Sequence, residues 1–393
     1  MRITDWRAKE DRDSVEVSAE VDGFRLSFRL PSSYPYSTSA DPFLAVALLP
    51  AMASEQALEV DPALPVSPQL LRNTGRLQEI FNSWNPALKI VPVTATTAPA
   101  RPLTDGALSF FSGGVDSTYT FLKRGDELDH VVFINGFEFD PSKRAIWESA
   151  LRRNSAFAAG FGKTLIPVET NVYPFGYRYN LSRNLTHGSW LGATALLLGF
   201  SRAYVPSSYS YRQQVPVGSH PLTDPLWSNE CVEVIHEGAE ARRVDKIVYI
   251  SKCDTALANL QVCFNLVAEN CGRCSKCLRT SIPLALLGVS TPAFPPLPSL
   301  RQVRRSLSTY DEIEMVFVQE NLEFARSHGV EGSQALERTL RNILRRAEMR
   351  RGLRLIDSAV SGGLVRQTRR RLARALTPGN PEPDRIGTTP PPD

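Results

Sequence analysis

Apolar and polar residues alternate with the two-residue period of a strand over Val15-Glu-Val-Ser-Ala-Glu-Val21 and again over residues 24–30. Pro31 and Pro35 punctuate these runs, and residues 43–53 form an apolar stretch that predicts a short helix. Thr94-Ala-Thr-Thr-Ala-Pro-Ala-Arg-Pro102 reads as a linker. From Gly106 the rhythm changes. Short apolar runs at 107–111, 131–134, 164–168 and 203–205 alternate with helical segments at 116–123, 142–161 and 186–200. Strands alternating with helices predict right-handed βαβ units and a parallel sheet. Ligands of such sheets bind at the carboxyl ends of the strands. Beyond Gly288 the chain is proline-rich, then helical from about residue 310 to 354.

The expected fold is therefore α/β, a doubly wound, mostly parallel sheet. Four regions are expected: a β-rich accessory unit (1–103), the α/β domain (104–290), a basic helical extension (291–376) and a disordered tail (377–393). The 393 residues suit two or three such units.

Composition narrows the class. Hydrophobic residues make up 42% and charged residues 22%, and the net charge is +4. These values exclude a wholly disordered or fibrous chain and a polycation that coats nucleic acid. The first thirteen residues, MRITDWRAKEDRD, lack an apolar core, so no secretory signal is expected. Residues 191–200 are too short to cross a bilayer. A cytoplasmic location follows as the expectation. Six cysteines in a long chain without a signal argue for metal or redox chemistry over a disulfide scaffold.

The first chemical motif is Ser112-Gly113-Gly114-Val115-Asp116-Ser117, between an apolar strand and a helix. Two glycines permit backbone angles closed to other residues and let consecutive N–H groups converge on an anion. The following helix adds its positive dipole end. Ser112 and Ser117 offer hydroxyls to phosphate oxygens, and Asp116 would meet a phosphate through Mg²⁺. No G-x-G-x-x-G opens this helix, and Gly162-Lys163-Thr164 lacks the upstream glycine of a Walker A loop, where Phe157 stands. The plainer reading is a tight turn with Asp116 as helix cap.

Phe110-Phe-Ser-Gly-Gly-Val-Asp-Ser-Thr118 resembles the SGGxDS signature of the PP-loop ATP pyrophosphatase superfamily. The resemblance implies a HUP-type sheet and ATP with its pyrophosphate in this loop, cleaved between the α- and β-phosphates. It gives nucleotide contacts to Phe110, Ser112, Gly113, Gly114, Val115, Asp116 and Ser117. It also places adenine against the backbone near residues 133–136, with Ile134 among the contacts. Asp116 and Ser117 would be catalytic.

The second motif is Cys263-x7-Cys271-Gly-Arg-Cys274-Ser-Lys-Cys277. Four thiolates supply a complete tetrahedral set for Zn²⁺, leaving no open position and hence a structural role. An iron–sulfur centre stays open as an alternative. Arg273, Lys276 and Arg279 are expected to offset the thiolate charge. The two motifs together resemble the 7-cyano-7-deazaguanine synthase branch over residues 106–290. That implies ATP-dependent activation of a carboxylate or amide oxygen, with ammonia (or a sulfur source) as donor and a small-molecule acceptor. The branch's Y-P-D-C-R stretch is replaced here by Pro216-Val-Gly-Ser-His-Pro-Leu-Thr-Asp-Pro-Leu-Trp227.

Weaker signals remain. His220, in that turn-rich segment, is a candidate acid or base. The aromatic stretches at 173–179 and 207–212 could stack on a planar substrate, although core aromatics are the plainer reading. Cys231 and Cys253 stand outside the cluster. Between residues 338 and 376 twelve arginines face only Glu348 and Asp357, an asymmetry that can attract RNA. Two alternatives therefore stand beside the ATP-dependent ligase reading: a tRNA-thiolating enzyme, and a nucleotide-binding module without catalysis. A homodimer is compatible with either.

Overall fold

The computed structural model describes residues 1–137, 144–263, 269–307, 314–328 and 333–361, with side chains to Leu353 in the last segment. The tail at 377–393 and the arginines from 354 onward lie outside the described residues or side chains.

The elements run β1 (Arg2–Glu10), β2 (Ser14–Val21), β3 (Phe24–Pro31), α1 (Asp41–Ser54), β4 (Leu58–Val60), α2 (Pro68–Trp84), β5 (Val93–Thr94), β6 (Thr104–Phe110), α3 (Val115–Lys123), β7 (His130–Asn135) and α4 (Arg144–Gly160). Then follow β8 (Thr164–Thr170), α5 (Val172–Tyr177), α6 (Arg183–Leu198), β9 (Phe200–Pro206), β10 (Glu233–Glu237), α7 (Arg243–Ile250), α8 (Asp254–Asn259) and α9 (Ser275–Leu286). Helices α10 (Leu300–Leu307), α11 (Met315–Ser327) and α12 (Gln334–Ser361) close the described chain.

The ten strands among the described residues join one sheet, in the order β10-β9-β6-β7-β8-β3-β2-β1-β4-β5. Strands β6 to β10 pair in parallel throughout. Their spatial order, read from β8 to β10, is third, second, first, fourth, fifth. This is the doubly wound α/β order, and it creates a switch point between β6 and β9. The sequence expectation of a mostly parallel α/β sheet is met.

The amino-terminal strands are continuous with this sheet. β1, β2 and β3 form an antiparallel meander, and β3 pairs with β8 through Phe28↔Thr170 and Arg29↔Glu169. Asn171 locks the seam: its Oδ1 accepts from Ser27 N and its Nδ2 donates to Arg25 O, both at 2.8 Å. The alternation that predicted β2 and β3 therefore has a covered face, where Val15, Val17, Leu26 and Phe28 are fully buried.

The sheet separates two apolar layers. Leu108, Phe110 and Val132 pack with α1 and α6 in one cluster, whereas Ala107, Phe111 and Val131 pack with α3, α7 and α8 in another. Adjacent residues of a strand point to opposite faces, so one buried strand feeds both layers. The carboxyl-terminal helices form a third cluster, in which Val303, Phe324, Leu340 and Ile343 pack with Leu278 and Ile282 of α9. No helix among the described residues is long and apolar enough to cross a membrane.

Candidate anion site and cysteine centre

The glycine loop leaves β6 at the switch point. Phe110 and Phe111 end the strand facing opposite layers, and the Phe111 ring stacks on Phe157 at 5.3 Å. Gly113 has φ +78°, the left-handed region that costs other residues about 1–2 kcal/mol. A Cβ there would also lie 2.9 Å from Asn154 Oδ1 of α4. Gly114 caps α3 in extended conformation without a side-chain hydrogen bond. Ser117 Oγ accepts from Ser112 N at 3.2 Å and donates to Gly114 O at 3.2 Å. Ser112 Oγ lies 3.3 Å from Ser117 Oγ and accepts from Gly114 N at 3.4 Å. The loop thus holds its own shape, and the first amides of α3 keep the unpaired donors of any helix start.

Asn154 adds a second signal. Its side chain is fully buried against Gly113, yet neither amide atom has a hydrogen-bond partner among the described residues. Buried polar atoms are paired in most proteins, and this amide beside the loop is an exception.

Asp116 lies differently from the sequence expectation. Its Oδ2 accepts from Arg243 Nη1 at 2.9 Å, and its Oδ1 from Lys246 Nζ at 3.3 Å. Burial would raise this carboxyl, but Lys246, Arg243 and Arg279 together outweigh it and hold the group below the ordinary carboxylate range. With both oxygens engaged by cations and no second acidic ligand beside them among the described residues, the donor set does not fit a divalent ion held by Asp116.

The cations were missed in the sequence, because α7 lies 127 or more residues from the loop and carries no motif. Arg243 and Lys246 are 5% and 1% exposed. Lys246 Nζ also donates to Ser207 O at 2.5 Å, just beyond β9. Arg279 stacks over the Phe317 ring at 4.1 Å and stands 3.6 Å from Glu314. It therefore adds its charge to this group. Arg243 Nε and Arg279 Nε are buried without an acceptor among the described residues. Glu320 of α11 accepts from Arg243 N at 3.0 Å. Its carboxyl is pushed up to about 7, because burial outweighs the pull of Arg243.

The four cluster cysteines meet as expected. Their sulfurs all lie within 4.8 Å of one another, with Cys263–Cys274 at 3.9 Å and Cys271–Cys277 at 4.0 Å. Four thiolates at 2.3 Å from one tetrahedral ion sit about 3.8 Å apart, so the spacing fits a single bound metal ion such as zinc. A multi-iron cluster would spread the sulfurs further. The Cys277 thiol is pushed far up, first by its hydrogen bond with Cys274 and then by burial. A dication is the natural relief for such a set. Cys274 N and Arg273 N both point at Cys271 Sγ, at 3.3 and 3.5 Å, and Gly272 has φ +64°.

The cysteine centre and the loop are joined. Gln261 N, two residues before Cys263, donates to Gly113 O at 2.8 Å. Asn270 then ties Val262 N, Leu260 O and Ala293 O together, each at 2.8 Å.

The remaining candidates are less central. Ile134 is buried near the end of β7, and the neighbouring Phe133 ring stacks on Trp147 at 4.4 Å. Gly136 has φ +106°, and a Cβ there would meet Thr170 O at 2.0 Å. His220 is buried, its Nδ1 accepts from Leu222 N, and its ring packs edge-on against Trp84. Its imidazole is pushed below the usual range, first by burial. Tyr209 stacks on Phe317, and Cys231 Sγ donates to Ala100 O, with its thiol pushed up by burial.

Comparison with protein-family models, with curated proteins and with solved structures finds no match for this chain.

Proposed function

We propose that the protein is an ATP-dependent, AMP-forming enzyme of the PP-loop type. On this reading it activates a carboxylate or amide oxygen of a small acceptor and installs nitrogen or sulfur, in the manner of the 7-cyano-7-deazaguanine synthase branch. The observation that carries the reading is the convergence of Arg243, Lys246 and Arg279 on the glycine loop at the switch point. Three buried cations meet two carboxylates, Asp116 and the Glu314 that stands 3.6 Å from Arg279, with Glu320 held near neutrality. That imbalance favours an anion, and the first-turn amides of α3, Ser112, Ser117 and the orphaned Asn154 supply its further hydrogen bonds.

Chemically, a carboxylate or amide oxygen leaves poorly, whereas AMP leaves well. The loop and its cations would stabilise charge developing on the departing pyrophosphate. The cysteine centre, read as a structural zinc site, would hold residues 261–263 against the loop without touching substrate.

The test is nucleotide binding and pyrophosphate release by wild type, Arg243→Gln and Gly113→Ala. The reading expects ATP affinity to fall at least tenfold in both variants. Equal affinity and equal pyrophosphate release would refute it. Of the two spare cysteines that a thiolating activity could use, Cys231 and Cys253, burial disfavours the Cys231 thiolate.

A further inference from the structure

Helix α12 has two parts. Up to Ala347 it packs inward: Leu336, Leu340 and Ile343 are buried in the third cluster, and Leu344 and Ala347 pack against it. From Glu348 to Leu353 every residue is exposed. The helix has therefore left the core after Ala347, and it runs on to Ser361. At 1.5 Å per residue that end is about 20 Å long.

Two large apolar side chains stand out from it. Met349 is 67% and Leu353 64% exposed. They are four residues apart, hence on one side of the helix. At 3.6 residues per turn that side lies about 200° round from Ala347, away from the core stripe. Ile356 and Val360 continue the same register, three and seven positions beyond Leu353. The charge around this stripe is nearly all of one sign. Between residues 345 and 354, Arg345, Arg346, Arg350, Arg351 and Arg354 stand against Glu348 alone.

Stripe and charge together choose the occupant. A second copy of α12 would bring the same arginines against these. The heptad spacing also ends at once, with Asn342 and Arg346 before it and Gly363 and Gln367 after it. RNA would leave Met349 and Leu353 against phosphate, and Gln334–Ser361 contains no aromatic residue on which a base could stack. An anionic bilayer accepts both features: its acyl boundary takes the apolar pair, and its phosphates take the guanidinium groups. Arginine stems lie along such a boundary with their heads in the phosphate layer.

We propose that the end of α12 beyond Ala347 docks on the surface of an anionic lipid bilayer. Met349 and Leu353 enter the boundary between headgroups and acyl chains. Arg345 and Arg346, which flank them in the helical register, bind lipid phosphates. The helix lies on the bilayer and does not cross it. This docking is independent of the nucleotide chemistry proposed above.

The experiment uses the full chain and vesicles of phosphatidylcholine, alone or with one third phosphatidylglycerol, read by co-sedimentation at low and high salt. Wild type should bind the anionic vesicles, ignore the neutral ones, and lose most of its binding at high salt. Met349→Ser combined with Leu353→Ser should weaken binding at least tenfold, because two large apolar side chains then no longer leave water. Arg345→Gln combined with Arg346→Gln should also weaken it at least tenfold. All four positions are exposed, so unfolding in urea should match wild type. Wild type that ignores anionic vesicles, or binds both kinds alike, overturns the proposal whatever the variants do. So does vesicle binding that the serine pair leaves unchanged. Bulk tRNA bound in place of vesicles would assign the surface to RNA. A dimer that the serine pair dissociates, with no vesicle binding, would assign it to a second copy. Either result overturns the lipid contact.

Discussion

Glu320 gives the sharpest energetic test of how the carboxyl-terminal helices pack against the candidate anion site. It is 2% exposed on α11, accepts from Arg243 N, and its pKa rises to about 7 from the ordinary 4.5. A carboxyl whose folded pKa lies above its unfolded one favours the folded chain fully below the unfolded value. That advantage is lost as pH rises through the folded value. The window here is therefore about pH 4.5 to 7. A shift of this size, at 1.36 kcal/mol for each pH unit, corresponds to about 3 kcal/mol. Glu320→Gln keeps an oxygen acceptor for Arg243 N but cannot ionise. Relative to wild type, the variant should gain about 3 kcal/mol between pH 4.5 and pH 8, read from urea unfolding at each pH. A stability difference that stays constant across that range would refute the reasoning.

Metal removal should act on the loop at a distance. A chelator, or Cys277→Ser, should abolish stoichiometric metal by elemental analysis and weaken ATP binding, because Gln261 no longer holds Gly113 O. Gly113→Ala should cost about 1–2 kcal/mol from its φ of +78° alone, measured by urea unfolding. Gly136→Ala should cost more, about 3 kcal/mol, because its Cβ would strike the Thr170 backbone carbonyl, which cannot swing aside. Arg243→Ala should lower stability and lift the Asp116 carboxyl toward ordinary values, shown by a carboxyl ¹³C titration.

Elements with a local signal were legible in the sequence. The Ser112–Ser117 loop and the four cysteines carry their chemistry in short spacings, and the chain needs little tertiary information to bring each set together. Strands β6 to β9 were legible from their apolar runs. Strand β10 was not, because Val-Ile-His-Glu mixes one buried face with polar functional groups. Arg243 and Lys246 of α7, Arg279 of α9 and Asn154 of α4 were invisible as a site, since three helices far apart in sequence carry them and only the packing of the fold brings them to the loop. His220 drew notice for its turn-rich setting. The histidine paired with a buried carboxylate is His236, and its partner Asp224 lies twelve residues away. The joining of β3 to β8 was also hidden: edge pairing between distant strands leaves no periodic mark.

The carboxyl-terminal helices are more than a solvated basic appendage. Phe317 and Glu320 lie on one face of α11, three residues apart, and both meet the arginines of the anion site. Phe317 offers its ring to Arg243 and Arg279, which steadies guanidinium groups without neutralising them. Glu320 balances part of their charge only when ionised. An aliphatic residue at 317 would leave two buried guanidinium groups without that face, and an aspartate would cancel the charge an anion needs. The pair that α11 supplies therefore keeps the cations ordered and under-neutralised, the condition under which a polyphosphate binds in competition with water. This argument predicts that Phe317→Leu weakens pyrophosphate binding in isothermal titration while leaving the metal content intact. Unchanged pyrophosphate affinity in that variant would separate α11 from the anion site.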